Sequence, residues 1–437
     1  MGFQSVPFDK KSIDDILEKS GIPLGTASIR EMNRIINTIE KQLNVRYIRM
    51  EFGIPGLPVN PIAIEAEIEA LRNNLAHIYP PFDGIPLLKE ATKDFIKAFM
   101  NFDVPSHCCV PTNGSMQGGF ISMGLAGRRF PERDTILFLD PGFPVNKLQC
   151  KVWGYGNDSI DLYDHRGDKL LKAVEERFAT GKIGGIMYNS PNNPSWVVLK
   201  EYELEGIGKL CSRYRVMAIE DLAYFGMDFR HDYGIPHQPP YQPTVAHYTD
   251  QYIVLISSSK MFSYAGQRIA MAIISPNLFN ETSKNLLTYF GTDNLGHAFV
   301  HGGMYPMTSG VSHSSQYGLA ALLRASVNGQ YKFTDFVREY ERRAKGMKKA
   351  FLNNGFTLVY DNDLGEPLAD GFYFTVAYPG RDGCRLLEEL VYYGVSAISL
   401  VTTGSSRTEG IRACVSLTKM EDIPELTYRL ETFHHEH

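Results

Sequence analysis

The sequence predicts an α/β protein: a large domain with a mostly parallel sheet covered by helices, plus a smaller α+β domain drawn from both chain ends. Three observations predict it. From about residue 61 to 300, helical stretches alternate with apolar runs of four to seven residues. Those runs are continuous rather than alternating, as in parallel strands buried on both faces, and each ends in a polar or Gly/Pro turn. After about 310 the alternation gives way to a long helical region and more widely spaced strands.

In chain order, Ser28–Leu43 carries a helical period and leads into the loop Phe52-Gly53-Ile54-Pro55-Gly56-Leu57-Pro58. Helical stretches follow at Ile62–Leu75, Leu87–Met100, Gln117–Ala126, Lys169–Phe178 and Glu203–Tyr214. Strand-like runs rich in Ile, Val and Met lie at Thr135–Leu139, Ile183–Tyr188, Arg215–Glu220, Ile253–Ser257 and Arg268–Ile274, with Cys108–Val110 a further short run. Residues 230–250, rich in Pro, His, Gln and Tyr without a period, read as a surface loop. Gln316–Leu352 reads as helical, Thr357–Tyr360, Gly371–Val376, Val395–Ile398 and Ile411–Ser416 as strands, and Pro424–Phe433 as the last helix. The expected organisation is an arm and part of the small domain over 1–60, the large domain over 61–310 and the small C-terminal domain over 311–437.

Composition narrows the function classes. The 437 residues carry 44 Lys+Arg against 49 Asp+Glu, a net charge of −5, which gives no electrostatic reason to expect nucleic acid or an anionic membrane. Balanced charge with 12% aromatic residues excludes a disordered chain. No apolar stretch approaches the roughly 20 residues that span a bilayer, and the first residues show no basic-then-apolar signal pattern. The six cysteines are scattered, with no Cys-x-x-Cys pair and no metal spacing, so reduced thiols in a cytoplasmic protein are expected.

Ligands of open parallel sheets bind beyond the strands' carboxyl ends, and the residues there are chemical ones. Ser258-Ser259-Lys260 follows Ile253–Ser257, with Arg268 eight residues beyond the lysine. Desolvation at such an edge lowers an ammonium pKa and frees the amine as a nucleophile toward a carbonyl, while the serines and arginine suit a phosphate. A solvated lysine in a polar turn is the plainer alternative. Asp221-Leu222-Ala223-Tyr224 follows Arg215–Glu220 and sets a carboxylate near a phenol, equally consistent with a capping aspartate and a packed tyrosine. Asn189-Ser190-Pro191-Asn192-Asn193-Pro194-Ser195-Trp196 is a rigid turn able to aim an amide into a cleft. Thr112-Asn113-Gly114-Ser115-Met116 opens a helix, a natural phosphate seat, though it is neither a Walker A nor a Gly-x-Gly-x-x-Gly motif.

In this order, Asn193-Pro194, Asp221-x-x-Tyr224, Ser257-x-Ser259-Lys260 with Arg268, and Arg412 resemble the class I/II aminotransferases, fold-type I enzymes dependent on pyridoxal 5′-phosphate. The resemblance runs from the Gly53 loop to Arg412 and implies a seven-stranded, mostly parallel sheet of the aspartate-aminotransferase type. It implies that Lys260 binds the cofactor as a Schiff base and then moves the substrate's α-proton. Asp221 would pair with the pyridinium nitrogen, and Asn193 and Tyr224 would donate to the ring oxygen. Gly114, Ser115, Met116, Ser257, Ser259 and Arg268 match the phosphate cup. Phe143 takes the place of the aromatic stacked on the ring, and Arg412, Gly53 and Asn193 take the place of the substrate-carboxylate contacts. Tyr79 with Gly84 matches the segment that reaches the neighbouring subunit's phosphate, so the resemblance implies a homodimer with shared sites. Transfer of an amino group between an L-amino acid and a 2-oxo acid is the expected activity. A lyase, synthase or decarboxylase on the same scaffold remains open, as does a non-enzymatic cofactor-binding regulator.

Two features depart from the pattern. The family follows Asn-Pro with Thr-Gly, whereas Ser195-Trp196 stand here. The segment Gly291–Gly310, with His297, His301 and Tyr305 among glycines, reads as a loop on the substrate side or as a site of structural histidines.

Overall fold

The structure is a computed structural model that describes residues 3–437. Its centre is a sheet of seven strands, β1 (Cys109–Thr112), β2 (Thr135–Asp140), β3 (Gly156–Asp161), β4 (Ile183–Asn189), β5 (Met217–Leu222), β6 (Tyr252–Ser257) and β7 (Ala270–Ile274). Their spatial order is β1-β7-β6-β5-β4-β2-β3. Only β7 runs against the rest, antiparallel to both β1 and β6. The inner strands are buried along almost their whole length, which is why they read as unbroken apolar runs. Helices pack so closely on this sheet that a Cβ at Gly184 of β4 would lie 2.4 Å from the Ala126 carbonyl oxygen.

Several element bounds differ from expectation for local reasons. β3, Gly-Asn-Asp-Ser-Ile-Asp, carries no apolar signal because it is a half-exposed edge strand held by its backbone pairing with β2. Arg215 and Arg268 are not in strands: each has a left-handed backbone, φ 51° and 52°, that ends the preceding helical turn, and the strands begin two residues later. The single helix expected over Gln316–Leu352 is three, His313–Val327, Phe333–Val337 and Glu339–Leu352, broken first where Gly329 takes φ +71°.

A second sheet of four antiparallel strands follows, β8 (Thr357–Leu358), β9 (Tyr373–Ala377), β10 (Ile398–Ser399) and β11 (Gly410–Cys414), in the order β10-β11-β9-β8. The chain's first segment joins it. Ile48–Arg49 pairs in parallel with Val395–Ser396, the Met50 N–H donates to the Ser396 carbonyl (2.9 Å), and the Cys414 N–H donates to the Met50 carbonyl (3.0 Å). Backbone pairing thus carries Gly53 to the edge of β11, beside Arg412. No helix among the described residues is long and apolar enough to cross a membrane.

Candidate active site

Strand register assembles one side of the cleft. Thr112, Ala270 and Ser257 stand abreast across β1, β7 and β6. Just beyond that row come Gly114, Arg268 and the Ser259-Lys260 turn. Gly114, with φ +73°, opens the helix Gly114–Arg129, and a Cβ there would lie 2.6 Å from Nη2 of Arg268. The Ser257 hydroxyl caps the short helix Ser258–Met261 by accepting from the Ser259 N–H (3.2 Å). A helix N-terminus, a guanidinium and serine hydroxyls so gathered form a seat for a phosphate. Ser115 and Met116 lie in the first turn, where their N–H groups point out of the helix end.

A second row sets Asn189, Asp221 and Leu255 abreast in β4, β5 and β6. Oδ1 of Asp221 is buried and has no hydrogen-bond partner. Burial pushes this carboxyl up to about 7, against the downward pull of Lys260 and Ser115. The same desolvation pushes the Lys260 amine below its ordinary value, while Asp221 and then Cys414 pull it back up. Each group is therefore biased toward its neutral form, a pattern that gathers at functional sites. Phe143 follows β2 and lines, with Asn189, Asn146, Asp221 and Thr403, a cavity of about 100 Å³. The Gly142 N–H donates to the Thr403 carbonyl (2.9 Å), pinning this loop to the second sheet's connections.

Arg412 closes the far end. The side chain is buried; Nη1 donates to Oδ1 of Asn193 (3.3 Å), Nη2 to the Glu51 carbonyl (2.5 Å), and Nε has no partner. The Asn193 turn is internally braced, Asn192 Oδ1 accepting from the Ser195 hydroxyl (2.7 Å) and from its N–H (3.2 Å). The hydroxyl of Tyr224 donates to that of Tyr373 (3.1 Å). Tyr373 turns its ring face to the Arg412 guanidinium, 4.7 Å from the centroid, and a Cβ on Gly53 would lie 2.0 Å from its hydroxyl.

Lys260, Asp221, Tyr224, Asn193, Arg412, Gly53, Phe143, Ser115 and the cup residues thus converge on one cleft. Tyr79 does not join them: it is 82% exposed on the surface, with Ile78 exposed next to it. The Gly291–Gly310 segment is not a loop but a run of short helical turns, including a π-helical turn at Ala298–Met304. Thr308 ties it to the cup's flank by accepting from Nδ2 of Asn113 (3.1 Å) and Nε2 of Gln117 (3.0 Å). The His297 and His301 rings lie tilted to each other with centroids 4.2 Å apart, both exposed, so neither is a buried structural histidine.

Two residues in the cleft went unassigned in the sequence. Trp196 packs inward, 1% exposed, at φ +63°, edge-on to Tyr224 (5.2 Å) and Tyr373 (6.2 Å). Tyr373 carries no motif; its one signal is the pairing of β9 with β11, which makes it the diagonal neighbour of Arg412.

Residues 53–427 match the family described as aminotransferase class I and II. A probable aspartate aminotransferase of Methanocaldococcus jannaschii is 26% identical over 380 residues, 86% of this chain and 90% of that enzyme. An LL-diaminopimelate aminotransferase of Natranaerobius thermophilus is 26% identical over 230 residues, 52% of this chain and 57% of that one. Among solved structures, a single mutant of Thermus thermophilus aspartate aminotransferase superposes with a TM-score of 0.75 at 18% identity, covering 93% of this chain and 96% of that one, a likeness of fold.

Proposed function

We propose, from the premise that the chain belongs to the class I and II aminotransferases, that Lys260 is the cofactor-bearing and proton-moving residue of its cleft. The enzyme transfers an amino group between an amino acid and a 2-oxo acid and depends on pyridoxal 5′-phosphate. The residues present fit that cofactor. The buried, unpartnered Oδ1 of Asp221 calls for a cationic N–H, and Gly114, at φ +73°, lets the Arg268 guanidinium close on the helix end. Gly114, Ser115, Met116, Ser257, Ser259 and Arg268 would hold its phosphate, Tyr224 and Asn193 its ring oxygen, and Phe143 its ring face. When bound, the cofactor supplies an electron sink for the charge left when the α-proton departs.

The protein's own part is positional and acid–base. Desolvation lowers the Lys260 ammonium below its ordinary value and so favours the neutral amine, which would hold the cofactor's aldehyde carbon and, once displaced, take the proton from the substrate's α-carbon and return it. Asp221 gains its ionised form when a cation meets it, which offsets the cost of burial. Arg412, already fixed by Asn193 and Glu51, presents a planar fork to the substrate carboxylate and orients the α-carbon bond toward Lys260.

The observation that carries this reading is the half-buried, desolvated lysine close to a carboxylate whose inward Oδ1 is buried without a partner. Borohydride treatment of the cofactor-loaded protein should fix the cofactor on the peptide containing Lys260. A panel of amino acids should give at most one equivalent of 2-oxo acid per site without an acceptor, and repeated turnover only with a 2-oxo acid acceptor. Full turnover by Lys260→Ala would refute the assignment, and many equivalents of product per site without acceptor would show a lyase instead.

The wider reading is a cytoplasmic homodimer organised as an arm over 1–60, a large cofactor-binding domain over 61–310 and a small domain over 311–437. Supporting the dimer, exposed Tyr79, Ile78, Tyr305 and Met307 offer an apolar surface near the cup. Tyr79 would then reach the partner's phosphate seat. Sedimentation of the loaded protein tests it.

A further inference from the structure

We propose that Tyr373 is a further hydrogen-bond donor to the substrate's α-carboxylate, and that Trp196 is the wedge that positions it. The proposal rests on the reading of Arg412 and Gly53 as the carboxylate subsite. Tyr373 occupies the ground between those two: its ring lies against the Arg412 guanidinium at 4.7 Å, and its hydroxyl lies where a Cβ of residue 53 would stand. In the cofactor-free protein that hydroxyl accepts from Tyr224 at 3.1 Å, and among the described residues no group accepts its own proton. Once Tyr224 gives its one proton to the cofactor's ring oxygen, the Tyr373 proton has only that phenol oxygen or an incoming anion to go to, and beside a cation and a glycine the carboxylate is the stronger acceptor. Burial pushes the Tyr373 phenol well above its ordinary value, so it is protonated and able to donate throughout the working range.

Trp196 explains why the phenol stays there. Its φ of +63° is a backbone conformation that costs a bulky residue free energy, so surrounding packing must hold it. Its indole meets Tyr224 and Tyr373 edge-on. The other side of the indole fills the space over Gly371, where a Cβ would lie 2.0 Å from Cε2 and 2.2 Å from Nε1. Gly371 lies two residues before Tyr373, so the tryptophan presses on the start of β9 and sets the angle at which Tyr373 leaves it. Buried Nε1 has no partner, consistent with a residue retained for its shape.

The test uses cofactor-loaded Tyr373→Phe and two probes made from the best donor of the panel. One is its α-methyl analogue, which lacks the α-proton and binds without reacting; the other is the corresponding amine without the carboxylate. Binding is read from the change in cofactor absorbance. The expected result is about ten- to hundredfold weaker binding of the α-methyl analogue, the loss of one hydrogen bond to a charged group, with amine affinity and cofactor content unchanged. Trp196→Phe should give a smaller loss with the same dependence on the carboxylate. Equal losses for both probes, or unchanged affinity for the α-methyl analogue, would overturn the proposal. So would a shifted pH titration of the chromophore without a change in analogue binding, since Tyr373 would then act through Tyr224. If the wild type binds neither probe and borohydride fixes nothing at Lys260, the aminotransferase roles themselves fail.

Discussion

Asp221→Asn in the cofactor-free protein separates the cost of the site from its use. In the fold this carboxyl is held at about 7 by burial, against an ordinary 3.8. A folded-state pKa raised above the unfolded one means the fold binds the proton more tightly. The stabilisation is complete below pH 4 and is lost as pH rises toward 7. At about 1.4 kcal/mol per pH unit the loss amounts to roughly 4 kcal/mol by pH 8. For a chain of this length that is on the order of 4 °C in Tm. The neutral amide has no such dependence, so the variant should match the wild type at pH 4 and unfold a few degrees higher at pH 8. Glu220, buried on the neighbouring position and pushed up to about 7, leaves a residual slope of the same sign in both proteins. Scanning calorimetry of the two cofactor-free proteins from pH 4 to 8 provides the curves. A variant less stable than the wild type at pH 8 would show that Asp221 is ionised and paired with Lys260 in the empty cleft, and the desolvation argument would be wrong.

Gly114→Ala should weaken cofactor binding at least tenfold, because the new methyl meets the Arg268 guanidinium and the residue must keep φ +73°; equilibrium dialysis gives the constant, and an unchanged value would remove Arg268 from the cup. Arg412→Lys should lower kcat/KM about a hundredfold, because an ammonium replaces a fixed planar fork; steady-state rates decide it. Gly371→Ala should destabilise the protein by about 1–3 kcal/mol through overpacking against Trp196. Adding Trp196→Phe should return part of that loss in a denaturant-melt double-mutant cycle, and strict additivity would deny the contact.

The large sheet was legible because its inner strands are buried on both faces, and a buried strand writes an unbroken apolar run into the chain. β3 was not, because an edge strand can be held by backbone bonds alone and places no demand on its side chains. Arg215 and Arg268 were drawn into strands because their apolar neighbours continue the pattern, whereas their left-handed backbones belong to the turn before. The 291–310 segment was misread for the opposite reason: its glycines signal a loop, but Gly296 and Gly303 are there to let helical turns pack against Phe279 and Ile121. Composition marks a glycine without saying whether conformation or close approach requires it.

The residues proposed for the cofactor were legible as a set that converges on one cleft because each is a short local motif at the end of one strand. The substrate side is different in kind. Tyr373 belongs to it only because β9 pairs with β11, and Trp196 belongs only because a glycine 175 residues further on leaves room for its indole. Read locally, a tryptophan with a positive φ is a liability, and a glycine before a strand is unremarkable. The two make sense together, since the strain at one is held by the space at the other. On the proposed roles, the groups a carboxylate would meet are set by pairwise complements distant in sequence, and a relative that kept Lys260 and Arg412 but changed residue 196 or 371 would present a differently shaped substrate wall. Grafting Gly at 196 together with a β-carbon at 371 should accordingly change the ratio of kcat/KM values among amino acids of different bulk while leaving cofactor affinity within about threefold. Parallel changes in every substrate would show that the pair shapes stability and not selection.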